Sequence, residues 1–118
     1  MKNLAPHIFR KRMLLEGFFD IEVNEQTLID FFRFITKELQ LKTYGDANVH
    51  ATGGVGKETN QGYDAFVPLI DSGIYIGVWS NQKFLSMVIY TCKEFDEATA
   101  HRKTIDFFKM PEAEFKLF

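Results

Sequence analysis

Cysteine occurs once in these 118 residues, as Cys92. An intrachain disulfide is thereby excluded, and a reducing, cytoplasmic compartment is the expected location. No apolar run is long enough to span a bilayer. The opening stretch MKNLAPHIFRKRMLLEG carries Arg10, Lys11 and Arg12 in its middle, so it is not expected to be a signal peptide. Charge of one sign is also scarce. With 14 basic and 16 acidic residues the net charge is −2, which leaves no surplus to attract nucleic acid or an anionic membrane. The three histidines, His7, His50 and His101, lack metal-ligand spacing, and with one cysteine they complete no Cys/His set, so no metal site is expected. Gly53–Lys57, GGVGK, is superficially like a phosphate-binding loop. That motif needs Ser or Thr after the lysine and a helix at once, whereas Glu58 follows and a strand comes next. Thr52–Gly62 then reads either as a polar surface loop or as a lid that closes over a bound substrate.

Phenylalanine, by contrast, is over-used, with 13 residues. A chain of this length forms one domain, and so much aromatic volume is hard to enclose in it. Part of it is expected at a subunit interface, which points to a homodimer that covers a sheet edge or face. Hydrophobic residues make up 46% and charged residues 25%, the balance of an ordinary globular protein.

Periodicity gives the order of elements. Arg12–Val23 has strand composition, with a bulge expected at Gly17. Asn24 is suited to cap a helix over Glu25–Leu41, whose Leu28, Phe31, Phe32, Ile35 and Leu39 recur at three- and four-residue spacing. Short strands follow at Asn48–Thr52, Tyr63–Ile70, Ile74–Trp79 and Phe84–Cys92. A second helix spans Asp96–Met110, with Ala100, Thr104, Ile105 and Phe108 on one side, and Glu114–Phe118 closes the chain as a strand. The order β-α-β-β-β-β-α-β predicts an α+β two-layer sandwich, a largely antiparallel sheet with helices on one face.

Between the apolar runs Val67–Ile70 and Ile74–Trp79 stands Asp71-Ser72-Gly73. Such a tripeptide is commonly a hairpin turn. The next hairpin, WSNQKF, sets a register in which Ile74, Ile76 and Val78 oppose Ile89, Met87 and Leu85, making one face wholly apolar. The other face carries Tyr75, Gly77, Ser86, Val88, Tyr90 and Cys92. In that register Asp71 lies opposite Cys92, so the only thiol comes near the Asp-Ser-Gly from twenty positions away. Cys92 is either a small buried hydrophobe or an acid with work to do.

On Asp71-Ser72-Gly73, Ile74–Trp79, Ser80-Asn81 and Thr91-Cys92-Lys93, without a gap from Ser72 to Cys92, the chain resembles the short prokaryotic class of pyruvoyl-dependent S-adenosylmethionine decarboxylases. The likeness extends more loosely along the chain in element order and length. It implies that the Ser72 hydroxyl attacks the carbonyl of Asp71, cleaves the Asp71–Ser72 bond and leaves a pyruvoyl group at position 72. That ketone forms a Schiff base with the substrate amine and acts as electron sink while carbon dioxide leaves. The resemblance assigns Cys92 as the acid that returns a proton, His50 as the upstream histidine of a His-x-Phe segment, and Asn81 as the residue on the ribose hydroxyls. Tyr75 and Trp79 are candidates to stack on a ligand ring. The chain departs from the family where Gly73 and Gly77 replace histidines and Asn81 replaces a glutamate.

Three functions follow. The first is a self-processing decarboxylase of S-adenosylmethionine in polyamine synthesis. The second keeps the chemistry but takes arginine or ornithine, as the altered ribose position invites. The third is an uncleaved homologue that binds a small adenosyl ligand or regulates a partner, as the missing histidines invite.

Overall fold

The computed structural model describes residues 1–53 and 61–118; the central part of the expected lid, 54–60, lies outside the described residues. The chain runs β1 (Lys11–Phe18), α1 (Glu25–Glu38), β2 (Asn48–Ala51), β3 (Gly62–Leu69), β4 (Ser72–Trp79), β5 (Phe84–Thr91), α2 (Glu97–Phe108) and β6 (Glu112–Leu117). The strands form one sheet in the order β2-β3-β4-β5-β1-β6, with every neighbouring pair antiparallel. The predicted element order and α+β class are those of the molecule.

Alternation decides what each side of the sheet becomes. Met13 and Leu15, Ala65 and Val67, Ile74, Ile76 and Val78, and Leu85, Met87 and Ile89 are all buried. The two helices contribute Leu28, Phe31, Phe32, Ile35, Ala100 and Phe108 to the same core. Phe31 lies 4.7 Å from Phe108 and 5.1 Å from Phe107 between ring centroids, which locks α1 to α2. Asn24 caps α1 by accepting the Thr27 N–H at 3.0 Å, and the Thr27 side chain accepts the Asn24 N–H in return. The expected hairpin register is the one found, with Ile74 opposite Ile89, Ile76 opposite Met87 and Val78 opposite Leu85.

Several boundaries differ, each for a local reason. The first strand stops at Phe18 rather than Val23, because the backbone N–H groups of Phe19 and Asp20 leave the ladder for the carbonyls of Lys83 and Phe108. Gly17 makes no bulge, for its pairing with Leu85 on one side and Ala113 on the other is continuous. It is needed for close approach instead, since a Cβ there would lie 2.3 Å from the Glu112 carbonyl oxygen. The first helix ends before Leu41 as Gln40 turns left-handed, φ 56°. Lys109, φ 49°, ends α2 ahead of Pro111 in the same way. The fourth strand begins at Ser72, not Ile74, so Ser72 and Gly73 belong to the ladder and the turn consists of Ile70 and Asp71.

Candidate active site at the β3–β4 turn

Leu69 pairs with Ser72, so Ile70 and Asp71 alone reverse the chain. Asp71 takes φ 58°, a left-handed conformation that Asp tolerates better than most residues because its short side chain can bond locally. Its carbonyl oxygen accepts the backbone N–H of Cys92 at 3.2 Å, so the expected juxtaposition of Asp71 and Cys92 is present. That donor points at the carbonyl of the Asp71–Ser72 peptide bond, and a donor so placed stabilises negative charge if the oxygen acquires it. Ser72 stands opposite Thr91, which is fully buried, and so lies on the helix side of the sheet. Its Oγ is buried with no hydrogen-bond partner among the described residues. A buried, unsatisfied hydroxyl at this bond is a costly arrangement for a mere turn. Hydroxyl and thiol are not hydrogen-bonded to each other: Cys92 lies one step beyond the Ser72–Thr91 pair, where alternation favours the opposite side of the sheet.

On that opposite, helix-free face a hollow of about 440 Å³ opens beside the turn, bordered by Phe66, Asp71, Ser72, Gly73, Tyr75, Val88 and Tyr90. The walls come from facing positions: Phe66 pairs with Tyr75, Tyr75 with Val88, and Gly73 with Tyr90. Gly73 and Gly77 are both roofed by aromatic rings. A Cβ on Gly73 would fall 2.8 Å from the Phe66 ring. On Gly77 it would fall 3.2 Å from the Tyr75 hydroxyl and 3.3 Å from the Trp79 ring. These rings occupy the space over the glycines that histidine side chains would need.

The Tyr75 hydroxyl donates to Asp64 at 2.9 Å. Burial first, and then the bond to the Asp64 carboxylate, raise its pKa above the ordinary tyrosine value. His50, exposed on β2, stands directly opposite Asp64, so His50, Asp64 and Tyr75 follow one another across three strands. Trp79 and Asn81 lie apart from the hollow. Asn81 sits in the turn at the other end of β4 from Ser72, roughly 25 Å away at the rise of an extended strand. The structure thus brings Asp71, Ser72 and Tyr75 to the border of one hollow, with the Ser72 hydroxyl turned to the helix side. Cys92 joins Asp71 through its backbone N–H, and His50 (two strands from Tyr75), Trp79 and Asn81 lie outside the lining. Val88 and Tyr90 stand on the Tyr75 face as the register predicts, whereas Phe66 and Asp64 on β3 escape the sequence reading, although they follow once Tyr75 is assigned its neighbours on that strand.

Among the described residues no group of His, Cys, Asp and Glu is arranged to hold a metal ion, and no helix is long and apolar enough to cross a membrane. No family model matches the chain, and no curated protein matches it. Among solved structures, the adenosylmethionine decarboxylase from Aquifex aeolicus VF5 superposes with a TM-score of 0.70 over 94% of this chain and 89% of that one. The identity is 14%, so the likeness is one of fold. The chain has the α+β fold of that decarboxylase, six antiparallel strands and two helices.

Proposed function

We propose that this protein is a pyruvoyl-dependent decarboxylase resembling S-adenosylmethionine decarboxylase, matured by its own cleavage at Asp71–Ser72 and serving polyamine synthesis. One observation carries the reading: the buried, unpartnered Ser72 Oγ next to a peptide carbonyl that already accepts the Cys92 N–H. The hydroxyl oxygen adds to the Asp71 carbonyl carbon, the C–N bond breaks, and an ester replaces the amide with a free amine at position 72. Loss of the Ser72 α-proton then expels the Asp71 carboxylate, and water displaces the nitrogen as ammonia. The Cys92 N–H steadies the charge on the attacked oxygen. The positive φ of Asp71 stores strain that bond cleavage releases.

A pyruvoyl group at position 72 supplies an electron sink for the loss of carbon dioxide from an amine substrate. The chain's own part is to hold that substrate and handle its protons. Phe66, Tyr75 and Tyr90 form aromatic walls against which a ligand can pack. Asp71 and Asp64 place negative charge beside those walls, which suits a cationic substrate. Cys92 is the proton donor in this reading, whereas Trp79 and Asn81, at the far end of β4 and outside the hollow, lie too far from Ser72 to hold the same substrate.

The aromatic roofs over Gly73 and Gly77 favour a second reading, an uncleaved homologue that binds a small adenosyl ligand without catalysis. Carbon dioxide release from added S-adenosylmethionine, arginine and ornithine separates the cases. Release from S-adenosylmethionine supports the first reading, and release from arginine or ornithine alone transfers the chemistry to an amino acid. No release, combined with sub-millimolar binding of an adenosyl ligand by calorimetry, supports the second.

A further inference from the structure

A second hollow, of about 490 Å³, lies on the helix side of the sheet, away from the one beside Ser72. That volume is within the range usual for small-molecule sites, roughly 300–1,000 Å³. One wall is a single face of α1, where Ile29, Phe32, Arg33 and Thr36 recur at three- and four-residue spacing. The other wall is the loop from Thr43 to Ala47, and Val67 of β3 closes the floor. Phe32 and Val67 are buried, and Ile29 and Ala47 half-buried, so the interior is apolar. The mouth is open at Gly45, where an added Cβ would meet nothing within 4 Å.

Charges of opposite sign border this apolar interior. Arg33 and Asp46 both line it, both are exposed, and neither side chain has a hydrogen bond or an ion pair among the described residues. Each keeps its full bonding capacity for a ligand, the guanidinium as donor and the carboxylate as acceptor. The Thr36 hydroxyl gives its proton to the Phe32 carbonyl oxygen at 2.7 Å, so toward the hollow it can only accept. A simple anion would be drawn by Arg33 and repelled by Asp46, and a simple cation would meet the reverse. A zwitterion satisfies both.

We propose that this hollow binds an α-amino acid with an apolar side chain. The ligand carboxylate takes the Arg33 guanidinium, in the paired geometry that arginine favours. The ligand ammonium lies between the Asp46 carboxylate and the Thr36 hydroxyl, and the ligand side chain packs on Phe32, Ile29 and Val67. The site also bears on the β3–β4 turn, because its loop wall is tied to the end of β3 just ahead of Ser72. The Tyr44 N–H donates to the Pro68 carbonyl oxygen at 3.1 Å, and the Ile70 N–H donates to the Lys42 carbonyl oxygen at 2.9 Å. Thr43 forms a bridge with Leu69 between them. A ligand clamped between α1 and this loop steadies those bonds against local opening. Binding does not depend on the reaction assigned to Ser72.

Calorimetry on the full chain tests it, with valine, leucine and phenylalanine as probes beside isopentylamine and isocaproate. The last two are leucine without its carboxylate and leucine without its ammonium. Leucine should bind, and each truncated analogue should bind about tenfold more weakly or worse. Arg33→Gln and Asp46→Asn should each weaken leucine by about tenfold, the usual loss with a charge-assisted bond. Both side chains are exposed and unpartnered among the described residues, so both variants should melt with the wild type when leucine is absent. Lost binding is then not lost folding. In hydrogen exchange, leucine should slow the Tyr44 and Ile70 amides. No binding of valine, leucine or phenylalanine at millimolar concentration would overturn the proposal. So would leucine binding indifferent to both substitutions, an analogue held as tightly as leucine, or bound leucine that leaves both amides exchanging as before.

Discussion

Replacing Gly77 by histidine tests whether the aromatic roof over β4 admits a side chain and whether position 77 communicates with Ser72. The substitution is tight but tolerable. Its Cβ would meet the Tyr75 hydroxyl at 3.2 Å and two Trp79 ring carbons at 3.3 Å, distances that ask those neighbours to give by a few tenths of an ångström. The obstructing atoms are ends of side chains, not backbone, and Tyr75 is 42% exposed and can swing outward. Doing so breaks the bond to Asp64, which costs about 0.5–1.5 kcal/mol. Against this, removing a glycine from the middle of a strand recovers roughly 0.5–1 kcal/mol. The terms nearly cancel, so Gly77→His should fold and melt within a few degrees of wild type, about 4–8 °C per kcal/mol being usual at this size. An imidazole at position 77 stands five residues along β4 from Ser72, roughly 16 Å at the rise of an extended strand, and on the other face of the sheet, too far to move a proton at the Asp71–Ser72 bond. Cleavage at Asp71–Ser72, followed by intact mass against time, should therefore keep the wild-type rate. A folded Gly77→His protein that cleaves about tenfold faster than wild type would refute the reasoning.

Cys92→Ala keeps the backbone N–H that reaches Asp71, so it should still cleave but turn over poorly; a chain that no longer cleaves would show that the thiol itself takes part in maturation. Phe31→Ala should cost about 3–5 kcal/mol by chemical denaturation, because the ring is fully buried against Phe32, Phe107 and Phe108; a loss below 1 kcal/mol would mean that the helices are not clamped there. The Lys11 ammonium is shared by the Glu94 and Glu97 carboxylates and the Phe95 carbonyl oxygen. Burial works against its charge, but the hydrogen bonds to both carboxylates outweigh that and raise its pKa, while Lys11 lowers the pKa of Glu97. The Lys11 contribution is therefore complete below the ordinary lysine pKa and fades as pH rises through the raised value. The Glu97 contribution is present above the ordinary carboxylate range and fades as pH falls through the lowered value. Lys11→Met should flatten the stability–pH profile at both ends, and an unchanged profile in urea melts at acid and alkaline pH would contradict the cluster.

The fold was legible because its signals are repetitive. Leu28, Phe31, Phe32 and Ile35 mark one helical face, and the alternation in β4 and β5 admits only one register with a dry side. Boundaries were less legible because they depend on tertiary partners. Nothing local tells that the Phe19 N–H prefers the Lys83 carbonyl, or that Gly17 must let Glu112 approach. The site was half legible. Register brought Cys92 to Asp71, but it could not reveal that the Ser72 hydroxyl is buried without a partner, or that Phe66 on a third strand covers Gly73. Those facts are made by neighbours across the sheet, which a linear reading reaches only after the strand order is known.

The central claim is that the Asp71–Ser72 bond is a reactive bond and not only the end of a turn. Intact mass spectrometry of wild type and Ser72→Ala, fresh and after days at working temperature, tests it directly. The account predicts that wild type separates into a chain ending at Asp71 and a chain blocked at its first residue, position 72, whereas Ser72→Ala remains a single species of about 13.7 kDa. Wild type that stays one uncleaved species at every time would contradict it.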